Sequence, residues 1–234
     1  MKWNPSDIRY WVVSIIFGIT IFACFPTMAQ SKLQAGPFWG QGLRMITGNE
    51  EADIGFGYHG GIVTRIPIDD QFSILPSLSV ARKGYNKWEF GWWSEDFVVQ
   101  YNQKLTYLDL YLPVKCKVAG VFNLQAGFQA GLLLEGDLIV DNYNYNGKYK
   151  LNIKNDLNQF DFGFVLGGGA QFKNGIGVDL ILNQGITDVY KDESTSYIDP
   201  YSNYFSITEL DGKNLLLTIN VSYLFGYAPK PITK

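Results

Sequence analysis

Three features of the sequence predict an all-β fold, a closed antiparallel up-and-down barrel of eight strands. Apolar and polar residues alternate with a period of two along eight segments, no long helical periodicity interrupts them, and short and long links alternate between them. Alternation with this period is typical of strands that have two unlike faces. Alternating link lengths are typical of barrels that cross a bacterial outer membrane, which have short periplasmic turns and long outer loops.

The eight segments differ in how clearly they alternate. The last is the most regular, because Leu217, Ile219 and Val221 fall on one face. Thr218 and Asn220 fall on the other. The first two segments are rich in glycine and alternate less regularly, but they are predicted as strands as well. The predicted strands cover residues 33–45, 55–67, 72–81, 107–118, 123–135, 160–172, 177–186 and 215–225.

The polar faces indicate what surrounds the barrel. They consist mainly of Gly, Ser, Asn and Gln, whereas a water-exposed face usually carries many Lys and Glu. Charged residues make up 18% of the chain and aromatic residues 16%. We therefore expect a transmembrane barrel with its apolar side chains toward lipid and its polar side chains in the lumen. A soluble lipocalin-like, lipid-binding barrel with the faces reversed is the alternative.

The link lengths orient the barrel in the membrane. Because the short links of such barrels are periplasmic, both chain ends are expected on the periplasmic side. Short links are predicted at 68–71, 119–121 and 173–175, and long links at 46–54, 86–102, 136–156 and 190–212.

The first 29 residues are predicted to be a signal peptide that is cleaved. Lys2 and Arg9 precede an apolar run at 11–25, and the small residues Thr27 and Ala29 form a cleavage site. The run is shorter than the roughly 20 residues that a transmembrane helix needs. We expect residues 30–234 to form a single outer-membrane β-barrel domain. A lipoprotein signal that retains a lipidated Cys24 is an alternative.

The charge and cysteine content of the predicted mature chain argue against nucleic-acid binding and against an intrachain disulfide. Removing Lys2, Arg9 and Asp7 changes the formal net charge from −3 to −4, so nothing basic enough to attract nucleic acid remains. Cys116 is then the single cysteine, and no intrachain disulfide can form.

Several stretches resemble the PorT-like outer-membrane barrels of Bacteroidota. Tyr107–Lys115 (YLDLYLPVK) resembles the strand signature of that family. The stretches 124–132 (LQAGFQAGL), 160–163 with 167–169, 184–188 and 221–225 (VSYLF) match its later strands in order. The resemblance implies an OmpA-like eight-stranded barrel in the outer membrane. Members of that family with a known role help protein secretion, and a link to protein secretion or surface assembly is compatible with the resemblance but does not follow from it.

Charged residues on the polar faces are the candidate site inside the barrel. An eight-stranded barrel encloses little more than its own side chains, and buried charges must be paired. We therefore expect a network of paired charges that fills the lumen, with an ion path as the alternative. By strand phase the lumen charges are Arg44, Arg65, Asp109, Lys115, Lys117, Glu135, Asp161 and Asp179.

No catalytic, cofactor-binding or metal-binding residue is predicted. His59 is the single histidine and faces the lumen by strand phase. Lipid A deacylases built on eight-stranded barrels use a His with a Ser, but no Ser and acid partners can be assigned to His59. No His/Cys cluster suggests zinc.

Aromatic residues of the long links are the candidate binding surface outside the barrel. They suit glycan or protein recognition, and the alternative is an aromatic girdle with hairpins that extend past the membrane. We expect a non-enzymatic barrel in contact with outer-membrane lipid and with other envelope proteins or surface glycans. A narrow channel or small-solute carrier is the second hypothesis. The candidates are Trp88, Trp92, Trp93, Tyr143, Tyr145 and Tyr149.

Overall fold

The computed structural model describes residues 33–48, 53–90, 98–142, 147–191, 196–197, 205–206 and 212–227. No helix in these ranges is long and apolar enough to cross a membrane. A single-turn 3-10 helix lies at Lys154–Asp156. The strands are β1 (Gln34–Thr47), β2 (Gly55–Pro67), β3 (Phe72–Ile74), β4 (Ser77–Lys83), β5 (Asn86–Phe90), β6 (Val98–Ala119), β7 (Phe122–Asn142), β8 (Gly147–Asn152), β9 (Phe160–Gln171), β10 (Ile176–Gly185), β11 (Ser196–Tyr197), β12 (Phe205–Ser206) and β13 (Lys213–Tyr223).

Eight antiparallel barrel strands close into the predicted barrel. We call each of them a stave, because β3 and β4 together make up one of the eight. Going around it, the order is β1, β2, β3 with β4, β6, β7, β9, β10 and β13, and every pairing is antiparallel. β13 then pairs with β1, from Phe38 opposite Ser222 to Thr47 opposite Lys213, so the ring has no free edge. The eight-stranded up-and-down barrel predicted from the alternation is confirmed.

β3 and β4 form one stave that is interrupted at Leu75 and Pro76. Pro76 has no N–H to donate to a neighbouring strand. The N–H of Leu75 donates to the carbonyl of Pro113 on β6, and the Leu75 side chain turns into the lumen. The interruption therefore places an apolar side chain inside the barrel near its short turns, at the end that we expect on the periplasmic side and call the periplasmic end.

The outer surface of the staves is apolar. In the middle of β13, for example, Ile219 is 59% exposed, whereas its neighbour Thr218 is fully buried. A water-soluble barrel buries its apolar face, so the soluble lipocalin-like alternative is wrong. Exposed apolar side chains on the staves include Leu78, Val80, Leu110, Leu112, Phe128, Leu132, Phe162, Leu166, Leu180, Ile219 and Val221.

All three predicted short turns are present at one end of the barrel. The first is closed by the Asp69 carboxylate, which accepts hydrogen bonds from the N–H groups of Gln71 and Phe72 at 2.7 and 2.6 Å. The other two contain Gly120 and Gly175, whose φ angles of 55° and 91° favour glycine. The ends of β1 and β13 that lie nearest the chain termini are at this same end.

At the opposite end, β6 and β7 extend far beyond the predicted strands, to 22 and 21 residues. β5 and β8 pair with these extensions, giving the order β5–β6–β7–β8. The predicted long links at 86–102 and 136–156 are therefore mostly strand. Outside the lipid an outward-facing residue need not be apolar, so the alternation that reveals the membrane part is lost in the extensions.

Candidate functional site

The centre of the lumen is an ion bridge built on Lys83, the last residue of β4. Its Nζ lies 3.0 Å from Oδ2 of Asp109 on β6 and 2.8 Å from Oδ2 of Asp161 on β9. The three side chains are at most 2% exposed. Because a buried charge is tolerated only when it is paired and hydrogen-bonded, these side chains depend on one another.

Neighbouring side chains complete the hydrogen bonds of the two carboxylates. The Tyr111 hydroxyl donates to Asp109 at 2.7 Å, and the Asn214 amide donates to Asp161 at 3.3 Å. On the outer side, the Arg44 guanidinium donates to the carbonyl of Lys83 at 2.6 Å and to the Asn102 side chain at 3.0 Å. The network thus joins β1, β4, β6, β9 and β13 across the lumen.

Lys83 was not among the predicted lumen residues. The third strand was predicted to end at residue 81, two residues short of it. Ser77, Ser79 and Ala81 alternate on the polar face, and extending that phase by one step would have placed Lys83 in the lumen.

Closer to the periplasmic end lies a second buried ion pair. Nζ of Lys115 is 3.1 Å from Oδ2 of Asp179, with both side chains less than 10% exposed. Arg65 and Lys117 are half-buried near this end of β2 and β6. Arg65 donates to the Gln34 side chain at 3.1 Å and lies 5.5 Å from the centre of the Tyr227 ring.

Seven of the eight predicted lumen charges are buried or half-buried, and Glu135 is the exception. The prediction that Glu135 faces the lumen is wrong, because its side chain is exposed. Thr106 pairs with Glu135 whereas Tyr107 pairs with Leu133, so a β-bulge adds one residue to β7. An extra residue reverses the phase of every later side chain in the strand.

His59 is buried in the lumen, as its strand phase predicts. Its Nε2 lies 2.9 Å from Oδ1 of Asn220 and 3.2 Å from Oγ1 of Thr218. A side chain at Gly40 would collide with both Asn220 and His59, so glycine is required there for this pair to form. The ring edge also packs against Phe38, with the two ring centres 5.2 Å apart.

An apolar cluster lies at each end of the polar lumen. The periplasmic cluster consists of Val63, Leu75 and Leu224, packed against Phe38 and Tyr227. The outer cluster is larger, because residues that follow β8 and β10 fold over the barrel mouth. Burial raises the pKa of its Tyr190 hydroxyl well above the usual range. The outer cluster comprises Ile46, Tyr85, Tyr101, Leu105, Tyr107, Leu133, Leu138, Val140, Ile153, Leu157, Val189 and Tyr190.

These two clusters predict that the barrel does not conduct ions at a measurable rate. Purified protein in planar lipid bilayers should give no stable current steps, because apolar side chains block both ends of a lumen that is already filled. Stable steps of porin size would contradict this expectation and would favour the channel hypothesis.

The second candidate site is the sheet beyond the outer rim, which we call the outer sheet. It comprises β5, β8 and the outer parts of β6 and β7, residues 98–105 and 136–142. About 9–11 residues suffice to cross the membrane, so roughly half of β6 and β7 projects from it. Two cross-strand ion pairs lie on this sheet, Lys148 with Asp141 at 2.9 Å and Lys150 with Asp137 at 2.8 Å.

The predicted aromatic binding residues fall partly on the outer sheet. Trp88 lies in β5 opposite Gln100, and Tyr149 lies in β8 and packs against the outer cluster. Trp92, Trp93, Tyr143 and Tyr145 lie outside the described residues.

Residues 4–191 match a family model described as an outer membrane protein beta-barrel domain. The chain belongs to this family. No curated protein matches this outer-membrane β-barrel protein significantly. Ail of Yersinia pestis is similar over 82% of this chain and 98% of its own, with 11% identity and a TM-score of 0.39. Neisserial surface protein A is similar over 82% of this chain and 96% of its own, with 10% identity and a TM-score of 0.42. The outer membrane protease OmpT of Escherichia coli is similar over 82% of this chain and 95% of its own, with 12% identity and a TM-score of 0.38.

The outer-membrane β-barrel protein should expose the outer sheet to the medium and the short turns to the periplasm. With Cys116→Ser removing the free thiol, Lys148→Cys on β8 should react with a membrane-impermeant maleimide on intact cells. Lys173→Cys, in the turn between β9 and β10, is the matched control and should react only after the outer membrane is opened. The reverse pattern would show that the barrel is inserted the other way round.

Proposed function

We propose that this outer-membrane β-barrel protein is a non-enzymatic binding protein whose partner docks on the outer sheet. The observation that carries the proposal is the length of β6 and β7, about twice what the membrane requires. The inward face of the outer sheet covers the outer cluster. Elsewhere on the sheet, charged side chains such as Lys148 and Lys150 are well exposed. A sheet that projects in this way suits recognition of another envelope protein or a surface glycan.

The lumen supports a structural rather than a catalytic role. The hydroxyl that contacts His59 belongs to Thr218, which is fully buried and out of reach of a substrate. The carboxylates of Asp109 and Asp161 are engaged by Lys83. A nucleophile needs an accessible position beside a base that a third group orients, and the described residues offer no such arrangement around His59.

A photoreactive amino acid can test the docking surface in living cells. At position 150, which is 63% exposed on β8, it should give discrete adducts whose partner mass spectrometry identifies. The same substitution at the periplasmic Lys173 is the control and should not give these adducts. Glycan binding is tested with purified protein on an array, where Lys148→Glu combined with Lys150→Glu should weaken binding. Adducts from position 173 alone, with no array signal, would contradict the proposal.

The resemblance to PorT-like barrels supports a more specific proposal, that the partner belongs to a protein-secretion or surface-assembly system. The motif Tyr107–Lys115 that carries it lies in the membrane part of β6 and contains Asp109 and Tyr111 of the lumen network. Loss of surface display of a secreted protein in a deletion strain would support this role. Unchanged secretion and surface display would contradict it.

We also propose that residues 1–29 are removed during export and that residues 30–234 remain as the barrel domain. The intact mass of the protein purified from outer membranes should correspond to a chain that begins at Gln30. A mass that instead fits a diacylated or triacylated chain beginning at Cys24 would show that the lipoprotein alternative is correct.

A further inference from the structure

A small cavity lies inside the barrel on the periplasmic side of the Lys83 ion bridge. Its volume is about 60 Å³. Its lining includes polar side chains such as His59, Asn183 and Asn220 and apolar ones such as Val165, Ile181 and Leu224. The periplasmic cluster lies between this cavity and the short turns, because Val63, Leu75 and Leu224 belong to both.

Three polar atoms of the lining residues have no hydrogen-bond partner among the described residues. They are Nδ1 of His59 and both Oδ1 and Nδ2 of Asn183. The two side chains are 2% and 1% exposed. A buried polar atom without a partner is energetically costly, so three such atoms on residues that line one cavity indicate that a molecule within the cavity bonds to them.

The hydrogen bonds of His59 determine what its Nδ1 needs. Oδ1 of Asn220 can only accept, so Nε2 of His59 carries the proton and donates to it. Nδ1 of the neutral ring is then an acceptor and requires a donor. Oδ1 of Asn183 also requires a donor, whereas Nδ2 of Asn183 requires an acceptor.

These requirements exclude ions as the occupant. A metal cation cannot accept a hydrogen bond from Nδ2 of Asn183, and a simple anion cannot donate to Nδ1 of His59. A neutral molecule that both donates and accepts satisfies all three atoms. A water molecule needs about 10–15 Å³ in such a cavity, so a volume of about 60 Å³ has room for about four to six.

We propose that the cavity is a binding site for a cluster of about four to six ordered water molecules, which link His59 to Asn183 inside the membrane-spanning barrel. The water cluster completes the hydrogen bonds of two staves, β2 and β10, that do not pair with each other. This inference is independent of the partner proposed for the outer sheet.

Because His59 is the single histidine, it is a unique reporter for this site. Full-length protein carrying no histidine tag is labelled with ¹⁵N,¹³C-histidine, folded in detergent micelles and studied by NMR. The ring ¹⁵N shifts should identify the tautomer protonated at Nε2. The ring protons bound to carbon should show cross-peaks at the water frequency whose sign corresponds to long-lived bound water.

Two asparagine variants provide the matched comparison. Asn183→Leu removes two of the three hydrogen bonds to the cluster, so the cross-peak between bound water and the His59 ring should be largely lost. Asn123→Leu is the control, because both polar atoms of the buried Asn123 are also without partners but Asn123 does not line the cavity. Its water cross-peak should match that of the unmodified protein.

The proposal fails if the unmodified protein shows no bound-water contact to His59, or if the contact is unchanged in Asn183→Leu. It also fails if the ring is protonated at Nδ1, since that atom would then be a donor. Heat-modifiable migration on a gel verifies that each variant is folded. If Asn183→Leu does not fold, Asn183→Val removes the same hydrogen-bonding groups, and the measurement on the unmodified protein remains decisive.

Discussion

Replacing Ile219 with arginine is expected to destabilise the inserted barrel by about 2–4 kcal/mol, the cost of an arginine on the lipid face at the middle of the membrane. Ile219 is in the central part of β13 and its side chain is 59% exposed on the outer surface. The free energy of unfolding is measured by urea titration in lipid vesicles, and the folded fraction by heat-modifiable migration.

Ile54→Arg is the matched control for Ile219→Arg. Ile54 is the same residue type and is 56% exposed, but it precedes β2 at the outer rim, where arginine costs only about 0–1 kcal/mol. If the barrel were surrounded by water, both substitutions would be tolerated, because an exposed isoleucine contributes little to stability. Equal and small effects would therefore overturn the membrane assignment of the outer face.

Lys83→Met should lower the free energy of unfolding by about 3–5 kcal/mol, at least as much as Ile219→Arg. It leaves the buried carboxylates of Asp109 and Asp161 without their cation. The methionine side chain nearly preserves the volume, so the loss reports the charge rather than a cavity. The loss of unfolding free energy is measured by urea titration of the refolded protein. Adding Asp109→Asn and Asp161→Asn to Lys83→Met should recover much of the stability, since no buried charge of the bridge is then left unpaired.

Lys148→Met is the control that separates a buried ion pair from an exposed one. Lys148 also pairs with an aspartate, but its side chain is 66% exposed, and such pairs contribute about 0–1 kcal/mol. A Lys83→Met effect as small as that of Lys148→Met would show that water reaches the bridge. The lumen network would then have no role in stability.

The membrane part of the barrel could be predicted from the sequence alone with little error. Lipid on one side and a narrow lumen on the other impose opposite requirements on successive residues, so most strands alternate clearly and only the two glycine-rich N-terminal strands do so less regularly. The turns at Asp69, Gly120 and Gly175 were equally predictable, because each depends on local side-chain or backbone chemistry.

The candidate sites were predicted less well, since they depend on contacts between residues distant in the chain. Strand phase placed Asp109 and Asp161 in the lumen, but it could not show that Lys83 bridges them from another stave. The phase failed for Glu135, because one extra residue in β7 turned that side chain outward. The outer sheet was predicted as long links, because outside the lipid nothing requires its strands to alternate.

Thus the sequence by itself determined the fold class, the number of staves and the face that meets lipid, because these follow from the local period of apolar residues. Only the tertiary structure decided which charges pair, what closes the lumen and how far the sheet projects. His59 and Asn220 are 161 residues apart in the chain, yet they meet because the barrel closes β13 onto β1 and thereby brings it close to β2. Ring closure is a property of the whole chain, and no local pattern specifies which side chains it brings together across the lumen.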